Sequence, residues 1–258
     1  MFRSSNPTLR ESMLAQERSF AEGQPMTVQG AVNKSFVLLG LIVLSAFWVW
    51  SKALQPAPLA AYGAAAAANS TAMGYAMAGG FIGFIFAMIT IFKKEWANRT
   101  APIYALCEGA FLGGVSASFE LQYQGIVVQA VALTLGVMFC MLAIYKSGMI
   151  KVDQKFMLGL AAATGAVCLV YLVNFVLMFF NRGVPLVYSS GPIGIGFSVI
   201  VVGIAAFNLV VDFFMIEECA RMRCGKHMEW YTAFGLMVTL VWLYLEILRL
   251  LVKLNNRR

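Results

Sequence analysis

Seven long apolar runs, separated by short polar segments, dominate the sequence. They cover residues 35–50, 73–92, 102–119, 126–145, 156–180, 193–216 and 230–251. A helix needs about 20 mainly apolar residues to cross the hydrocarbon core of a bilayer. Only helices and closed barrels satisfy all their backbone hydrogen bonds in lipid, and barrel strands alternate apolar with polar residues. The sequence therefore predicts an all-α integral membrane protein, a bundle of seven transmembrane helices.

Charged residues are scarce, which excludes an ordinary soluble enzyme or a disordered chain. Only 12% of the 258 residues are charged and 60% are apolar, whereas a soluble domain carries about 25% charged residues. The net charge of +7 comes from short clusters that form no continuous basic face, so no nucleic-acid partner is expected. The five cysteines show no C-x-x-C spacing, and neither a disulfide framework nor a zinc site is predicted.

Basic residues between the runs favour a cytoplasmic N-terminus, because Lys and Arg accumulate in cytoplasmic loops. With that orientation, the outside segments before the C-terminal end hold only Lys52 and Arg182. The inside segments hold most of the 19 cations: Arg3, Arg10, Arg18, Lys34, Lys93, Lys94, Arg99, Lys146, Lys151, Lys155, Arg221, Arg223 and Lys226. The cations at the C-terminal end lie outside and reduce this bias. With seven spans, the N-terminus is inside and the C-terminus outside.

The domain boundaries follow from these runs. Residues 1–34 are predicted to form a polar cytoplasmic N-terminal tail, residues 35–254 the seven-helix transmembrane domain, and residues 255–258 a short basic C-terminal tail. The alanine run at 64–68 has low complexity. It fits either a flexible external connection or an extension of the second helix.

Three acidic residues lie within the apolar runs: Glu108, Asp212 and Glu246. An ionisable side chain at the centre of a membrane helix costs roughly 2.5–3.5 kcal/mol, so it usually faces a partner or a wet cavity. Glu246 precedes Arg249 by three residues, which predicts a local ion pair near the outer interface. Glu108 and Asp212 have no such neighbour.

Asp212 follows Asn208 by about one helical turn and lies near the cytoplasmic end of the sixth run. Two interpretations stay open. Asp212 is either a helix-end carboxylate paired with Arg221, Arg223 or His227, or a proton- or cation-responsive gate at the inner mouth of a path through the bundle. In the second case, protonation of Asp212 would open or close the path.

Glu108 lies beside Gly109 and Gly113, a small-xxx-small pair that lets a neighbouring helix approach closely. By its depth, Glu108 would face the same inner cavity as Asp212. The seventh run places four residues on one helical face, which should point into the bundle: Gly235, Thr239, Trp242 and Glu246.

No catalytic pattern is complete. His227 is the one histidine, which excludes a two-histidine metal site or a standard zinc hydrolase. Glu217 and Glu218 lack the arginine and histidine that a Glu-Glu-x-x-x-Arg intramembrane protease uses, and Asp212 is the one aspartate within the runs. We therefore predict a protein that is not an enzyme and has no cofactor.

Several separated segments resemble one family. They are APIYALCEGAFLG at 101–113, SSGPIGIGFS at 189–198, NLVVDFFMIEE at 208–218, MEWYTAFGL at 228–236 and LYLEILRLL at 243–251. Together they resemble the bacterial YccA-like branch of the Bax inhibitor family, also called the transmembrane Bax inhibitor motif family. The resemblance covers residues 26–254, nearly the whole chain.

The resemblance implies a seven-helix membrane protein whose understood relatives behave as pH-sensitive calcium leak channels. In those relatives, one aspartate on helix six and one on helix seven share a proton. Asp212 matches the helix-six aspartate, whereas the helix-seven position falls on Thr239, which carries no charge. Two carboxylates that share a proton titrate as a coupled pair, and a carboxylate that faces a threonine does not. Glu108 or Glu229 would replace the second aspartate if either lies near Asp212.

Two functions are expected from these features. The first is a cation-permeable leak channel, with calcium as the ion because hard cations favour carboxylate and carbonyl oxygens. Asp212 would be its gating carboxylate, Glu108 a partner and Asn208 a hydrogen-bonding neighbour. The alternative is a non-enzymatic membrane regulator, which would bind a membrane protease or another protein of a stress pathway through its tail and loops. Both place the chain in the lipid bilayer, most simply the bacterial inner membrane.

Overall fold

The computed structural model describes residues 25–53, 64–178, 180 and 189–257, and these residues are mostly helical. Within them, seven α-helices follow one another along the chain: α1 (Val28–Ala53), α2 (Ala64–Phe92), α3 (Ala97–Gln122), α4 (Ile126–Lys146), α5 (Gln154–Met178), α6 (Pro192–Arg221) and α7 (Met228–Asn255). One 3₁₀ turn, Lys94–Trp96, joins α2 to α3. The all-α fold class is confirmed.

Each apolar run corresponds to one helix, but several helices begin earlier or end later than the run. Helix α1 begins at Val28, so residues 28–34 belong to the first helix and not to a separate tail; the tail before residue 25 lies outside the described residues. The cause is an N-cap, because the Thr27 hydroxyl accepts a hydrogen bond from the Gly30 amide at 3.0 Å. Helix α2 begins at Ala64, which makes the alanine run an extension of the second helix.

Six of the seven helices have the length and composition of membrane spans, and α3 is the exception. Helix α3 carries Arg99, Glu108 and Glu120 together with several small residues, which lowers its hydropathy. Within the described residues, the structure therefore supports a multi-pass chain with six such helices. The count of seven spans stays a prediction.

The chain divides into two compact units. One unit consists of Met1–Ala117 and Met215–Met237, and the other consists of Ser118–Phe214 and Val238–Arg258. The division falls inside α3, α6 and α7, so each of these three helices contributes to both units.

In the first unit, α3 packs closely against α1 through two glycines. A Cβ atom at Gly109 would overlap Ser45 Oγ and the Ile42 carbonyl oxygen, and one at Gly113 would overlap the Ala46 carbonyl oxygen. Only glycine permits this approach of the two backbones. The small-xxx-small contact predicted from the sequence is confirmed, and its partner is α1.

Helix α2 also packs closely on α3 within the same unit, again at a glycine. A Cβ atom at Gly79 would lie 2.6 Å from the Cys107 carbonyl oxygen and 2.8 Å from the Phe111 amide nitrogen. The hydroxyl oxygens of Thr90 and Thr100, both buried, lie 2.7 Å apart and join the same two helices. Helix α3 thus has close contacts with both α1 and α2.

In the second unit, aromatic rings connect the helices. Phe156 of α5 meets Phe207 of α6 edge to face, with ring centroids 6.1 Å apart. The Tyr145 ring of α4 lies at the same centroid distance from that of Phe213 of α6. Such pairs contribute about 0.5–1.5 kcal/mol each beyond the area that they bury. They place α4 and α5 on α6 beside Asp212.

Candidate functional site

Asp212 lies on α6 in the second unit and has one unpaired carboxylate oxygen. The Thr239 side chain of α7 lies beside the Asp212 carboxylate. One carboxylate oxygen, Oδ2, is fully buried and has no hydrogen-bond partner among the described residues. Burial of a charged group is costly unless it is paired and hydrogen-bonded. A proton or another cation at Oδ2 would therefore stabilise this arrangement.

Asn208 connects the same face of α6 to α5. Its Nδ2 donates hydrogen bonds to Thr164 Oγ1 and to the Ile204 carbonyl oxygen, each at 2.9 Å. Residues four apart on a helix are neighbours on its surface, so Asn208 lies one turn from Asp212. The result is a polar patch in which α5, α6 and α7 each contribute side chains.

The ion pair between Asp212 and a cation of the following loop is not what the structure shows. Arg221 pairs instead with Glu218, with an N–O distance of 2.6 Å. The physical reason is helical geometry. Glu218 lies three residues before Arg221 and on the same face, whereas Asp212 lies about two and a half turns away. The expectation of a helix-end pair for Asp212 was wrong.

Glu108 lies on α3 in the first unit, against α2. It is half-buried, and a Cβ atom at Gly83 of α2 would lie 3.2 Å from Glu108 Oε2. Within the described residues, the Glu108 carboxylate has neither a hydrogen bond nor an ion pair. The preceding turn is fixed by Tyr104, whose ring meets Phe234 with the centroids 4.9 Å apart. A cavity shared with Asp212 stays a prediction.

Glu229, at the start of α7, is fully buried and already has partners within the first unit. Its carboxylate accepts hydrogen bonds from the amide and the hydroxyl of Thr27 at 3.0 and 3.1 Å. Lys34 forms an ion pair with one oxygen, and Lys226 forms an ion pair with the other at 2.8 Å. Gly30 leaves room for this arrangement, because a Cβ atom there would overlap the Glu229 carboxylate. Glu229 thus holds α1 to the start of α7.

Glu246 of α7 forms the ion pair with Arg249 that its spacing predicts, at 3.0 Å. Two further side chains complete the network in the second unit. The Tyr171 hydroxyl of α5 and the Trp242 indole each donate to Glu246, at 2.9 and 3.2 Å. Arg249 also donates to the Tyr171 oxygen at 2.6 Å. Glu246 is only 1% exposed, and its charge is compensated.

Lys253 on α7 is a buried cation that sequence reasoning assigns to the outer end of the chain. It is 3% exposed, and its ammonium group donates to the Gly194 carbonyl oxygen at 3.0 Å and to Ser198 Oγ at 2.9 Å. Both acceptors lie near the start of α6. The one sequence signal for this contact is a lysine within an otherwise apolar helix.

Multidentate acidic metal sites are not found in the described part of the chain. No group of three or more His, Cys, Asp or Glu side chains comes together there in a way that could hold a metal ion. The charged groups instead form separate clusters around Glu229 and Glu246. Asp212 does not belong to the Glu246 cluster of its own unit, and its described neighbours Asn208 and Thr239 are neutral and polar.

Six membrane-length apolar helices that carry buried ionisable groups define the chain as a multi-pass helical membrane protein. A family model described as Bax inhibitor 1 like matches residues 6–256. The chain belongs to this family, which confirms the resemblance seen in its sequence segments. No curated protein and no solved structure matches the chain.

The Glu229 cluster predicts a large loss of stability when its charge is removed. Glu229→Gln keeps the shape of the side chain but leaves Lys34 and Lys226 without their counter-charge. We expect the free energy of unfolding in mixed micelles to fall by about 3 kcal/mol, as it does when a buried ion pair loses one partner. Loss of helical circular dichroism with increasing denaturant measures this change.

Glu218→Gln is the matched control, because the Glu218 pair with Arg221 is exposed on the arginine side. Its free energy of unfolding should change by no more than about 1 kcal/mol. If both variants lose the same stability, the Glu229 cluster does not anchor α1.

Proposed function

We propose that this protein forms a cation leak pathway through the membrane, with Asp212 as its gating carboxylate. The observation that carries the proposal is the buried Oδ2 of Asp212, which has no hydrogen-bond partner in the described part of the chain. The resemblance to the Bax inhibitor family supports calcium as the permeant ion. The proposed function is not enzymatic.

The physical basis of gating is the cost of a charge at membrane depth. An ionised carboxylate there costs roughly 2.5–3.5 kcal/mol on insertion scales unless it meets a partner or water. Protonation removes this cost, and wetting of the site offsets it. The protonated state of Asp212 therefore favours a dry, closed site, and the ionised state favours a wet, open one.

The other acids support this choice by their partners. Glu229 and Glu246 are compensated by lysine and arginine side chains. Glu108 has no partner among the described residues, and we propose it as a second acid of the pathway. Asn208 and Thr239 serve as neutral hydrogen-bonding neighbours of Asp212.

The proposal includes a topology of seven spans in a bacterial inner membrane, with α3 as the additional span and the N-terminus in the cytoplasm. An odd number of spans puts the termini on opposite sides. In bacterial cells, a green fluorescent protein fused to the N-terminus should fluoresce. One fused to the C-terminus would be exported with it and should not fluoresce. Alkaline phosphatase fused to the C-terminus should be active. Two fluorescent fusions would mean an even number of spans.

The gating role predicts a change in the pH dependence of calcium flux. We expect purified protein in liposomes loaded with a calcium-sensitive dye to pass calcium down its gradient, with a rate that depends on pH. Asp212→Asn, which cannot ionise, should reduce the difference in flux rate between pH 5 and pH 8 at least tenfold, since that difference arises from one titrating group.

Glu95→Gln is the matched control for this experiment. Glu95 is exposed, lies in the 3₁₀ turn Lys94–Trp96 outside the membrane-length helices, and should retain the pH profile of the native protein. A profile for Asp212→Asn that equals the native one would refute gating by Asp212. Absence of any flux, together with retained binding of a membrane protein, would favour the alternative role as a regulator.

A further inference from the structure

We propose that Asp212, Asn208, Thr164 and Thr239 form a binding site for a single positive charge, at which a monovalent metal cation such as Na⁺ or K⁺ competes with a proton. The site itself rests on the geometry of the second unit. Its consequence for transport rests on the proposed function.

The site offers several oxygen atoms from three helices. Asp212 Oδ2 is buried and unpaired, and the Thr239 hydroxyl contacts the same carboxylate. One turn earlier, Asn208 uses its amide nitrogen to bind Thr164, and its Oδ1 accepts no hydrogen bond in the described part of the chain. Carboxylate, amide and hydroxyl oxygens are the ligands that hard cations prefer.

The other acids of the second unit are already engaged. The Glu120 carboxylate accepts a hydrogen bond from the Gly125 amide at 2.6 Å, next to the start of α4. Asp153 accepts a hydrogen bond from the Phe156 amide at 2.7 Å at the start of α5. Glu246 is paired with Arg249. Among the described residues of this unit, Asp212 is therefore the one acid with a buried and unpaired carboxylate oxygen.

The titratable groups beside this face of α6 are few. Helix α4 contributes Tyr145, whose ring packs on Phe213, and Lys146, whose ammonium group lies 5.9 Å from the Tyr145 ring centroid. The side chains of α5 and α7 that join the polar patch, Thr164 and Thr239, are not ionisable. Among the described residues that form the patch, Asp212 is thus the one ionisable group.

Charge balance selects the class of cation. One carboxylate and one monovalent ion leave the site neutral, as one carboxylate and one proton do. A calcium ion would leave a net positive charge among apolar helices, which is costly without a second acid. The threonine at position 239 therefore changes which ion the site can hold.

Competition makes a quantitative prediction. A bound Na⁺ or K⁺ stabilises the ionised carboxylate, so a higher salt concentration must move its protonation to lower pH. Above the dissociation constant of the cation, one-for-one exchange shifts the midpoint by about one pH unit for each tenfold rise in concentration.

Infrared difference spectroscopy of the full chain in lipid nanodiscs measures this shift. The Asp212 band is the carboxylic C=O stretch that disappears in Asp212→Asn. Thr239→Val, which keeps the carboxyl but removes the neighbouring hydroxyl, should move the band and so assigns it even if the asparagine variant fails to fold. Titrations in NaCl and KCl are compared with CaCl₂ and with N-methylglucamine chloride at equal ionic strength.

We expect the midpoint to fall with Na⁺ or K⁺. It should fall less with Ca²⁺, and it should not fall with N-methylglucamine. The proposal is overturned if the midpoint does not change with either monovalent ion, or if it falls most with Ca²⁺. The readout needs no transport. A shift of the midpoint without calcium flux would support the cation site and refute the leak function. Calcium flux without a shift would support the leak function and refute the site.

Discussion

The cost of holding a charge among apolar helices governs the arrangement of this protein's ionisable groups. Buried acids that keep their charge need cations or hydrogen-bond donors around them. Glu229 meets this need with two lysines and Thr27, and Glu246 meets it with Arg249, Tyr171 and Trp242. Lys253 meets the converse need with oxygen acceptors of α6. Among the described residues, Asp212 and the half-buried Glu108 lack such compensation, and the buried, unpaired oxygen of Asp212 is the reason to assign it a function.

The compensated clusters also connect distant parts of the chain. Glu229 joins the start of α7 to the N-cap of α1, about two hundred residues earlier in the sequence. Glu246 joins α7 to α5 through Tyr171. The glycines of α3 bring its backbone against α1, where ordinary side chains would keep the helices apart. Polar clusters and glycine contacts thus supply the specificity that apolar packing in lipid does not.

The sequence predicts what depends on composition and on local spacing. The apolar runs indicate all seven helices, and the three-residue spacing of Glu246 and Arg249 indicates their ion pair. The early start of α1 was missed because it depends on the Thr27 cap, a short polar signal outside the apolar run.

Contacts between separate helices were less accessible to sequence reasoning. Nothing in the sequence links Lys34 to Glu229 or Thr164 to Asn208, since these pairs form only when the helices pack. The family resemblance placed Thr239 at the position that faces Asp212, and in the structure the two side chains lie beside each other. Whether α3 crosses the membrane depends on a balance between its apolar centre and its charges.

The most direct test of the central claim is to restore the missing acid. If Thr239 faces a gating Asp212, Thr239→Asp places two carboxylates at one site, and these should share a proton and titrate in two coupled steps. The pH profile of calcium flux through liposomes should then change from one step to two. Thr239→Asn, which adds no charge, should keep the single step. If Thr239→Asp keeps the single-step profile of the native protein, Asp212 and Thr239 do not form the gate.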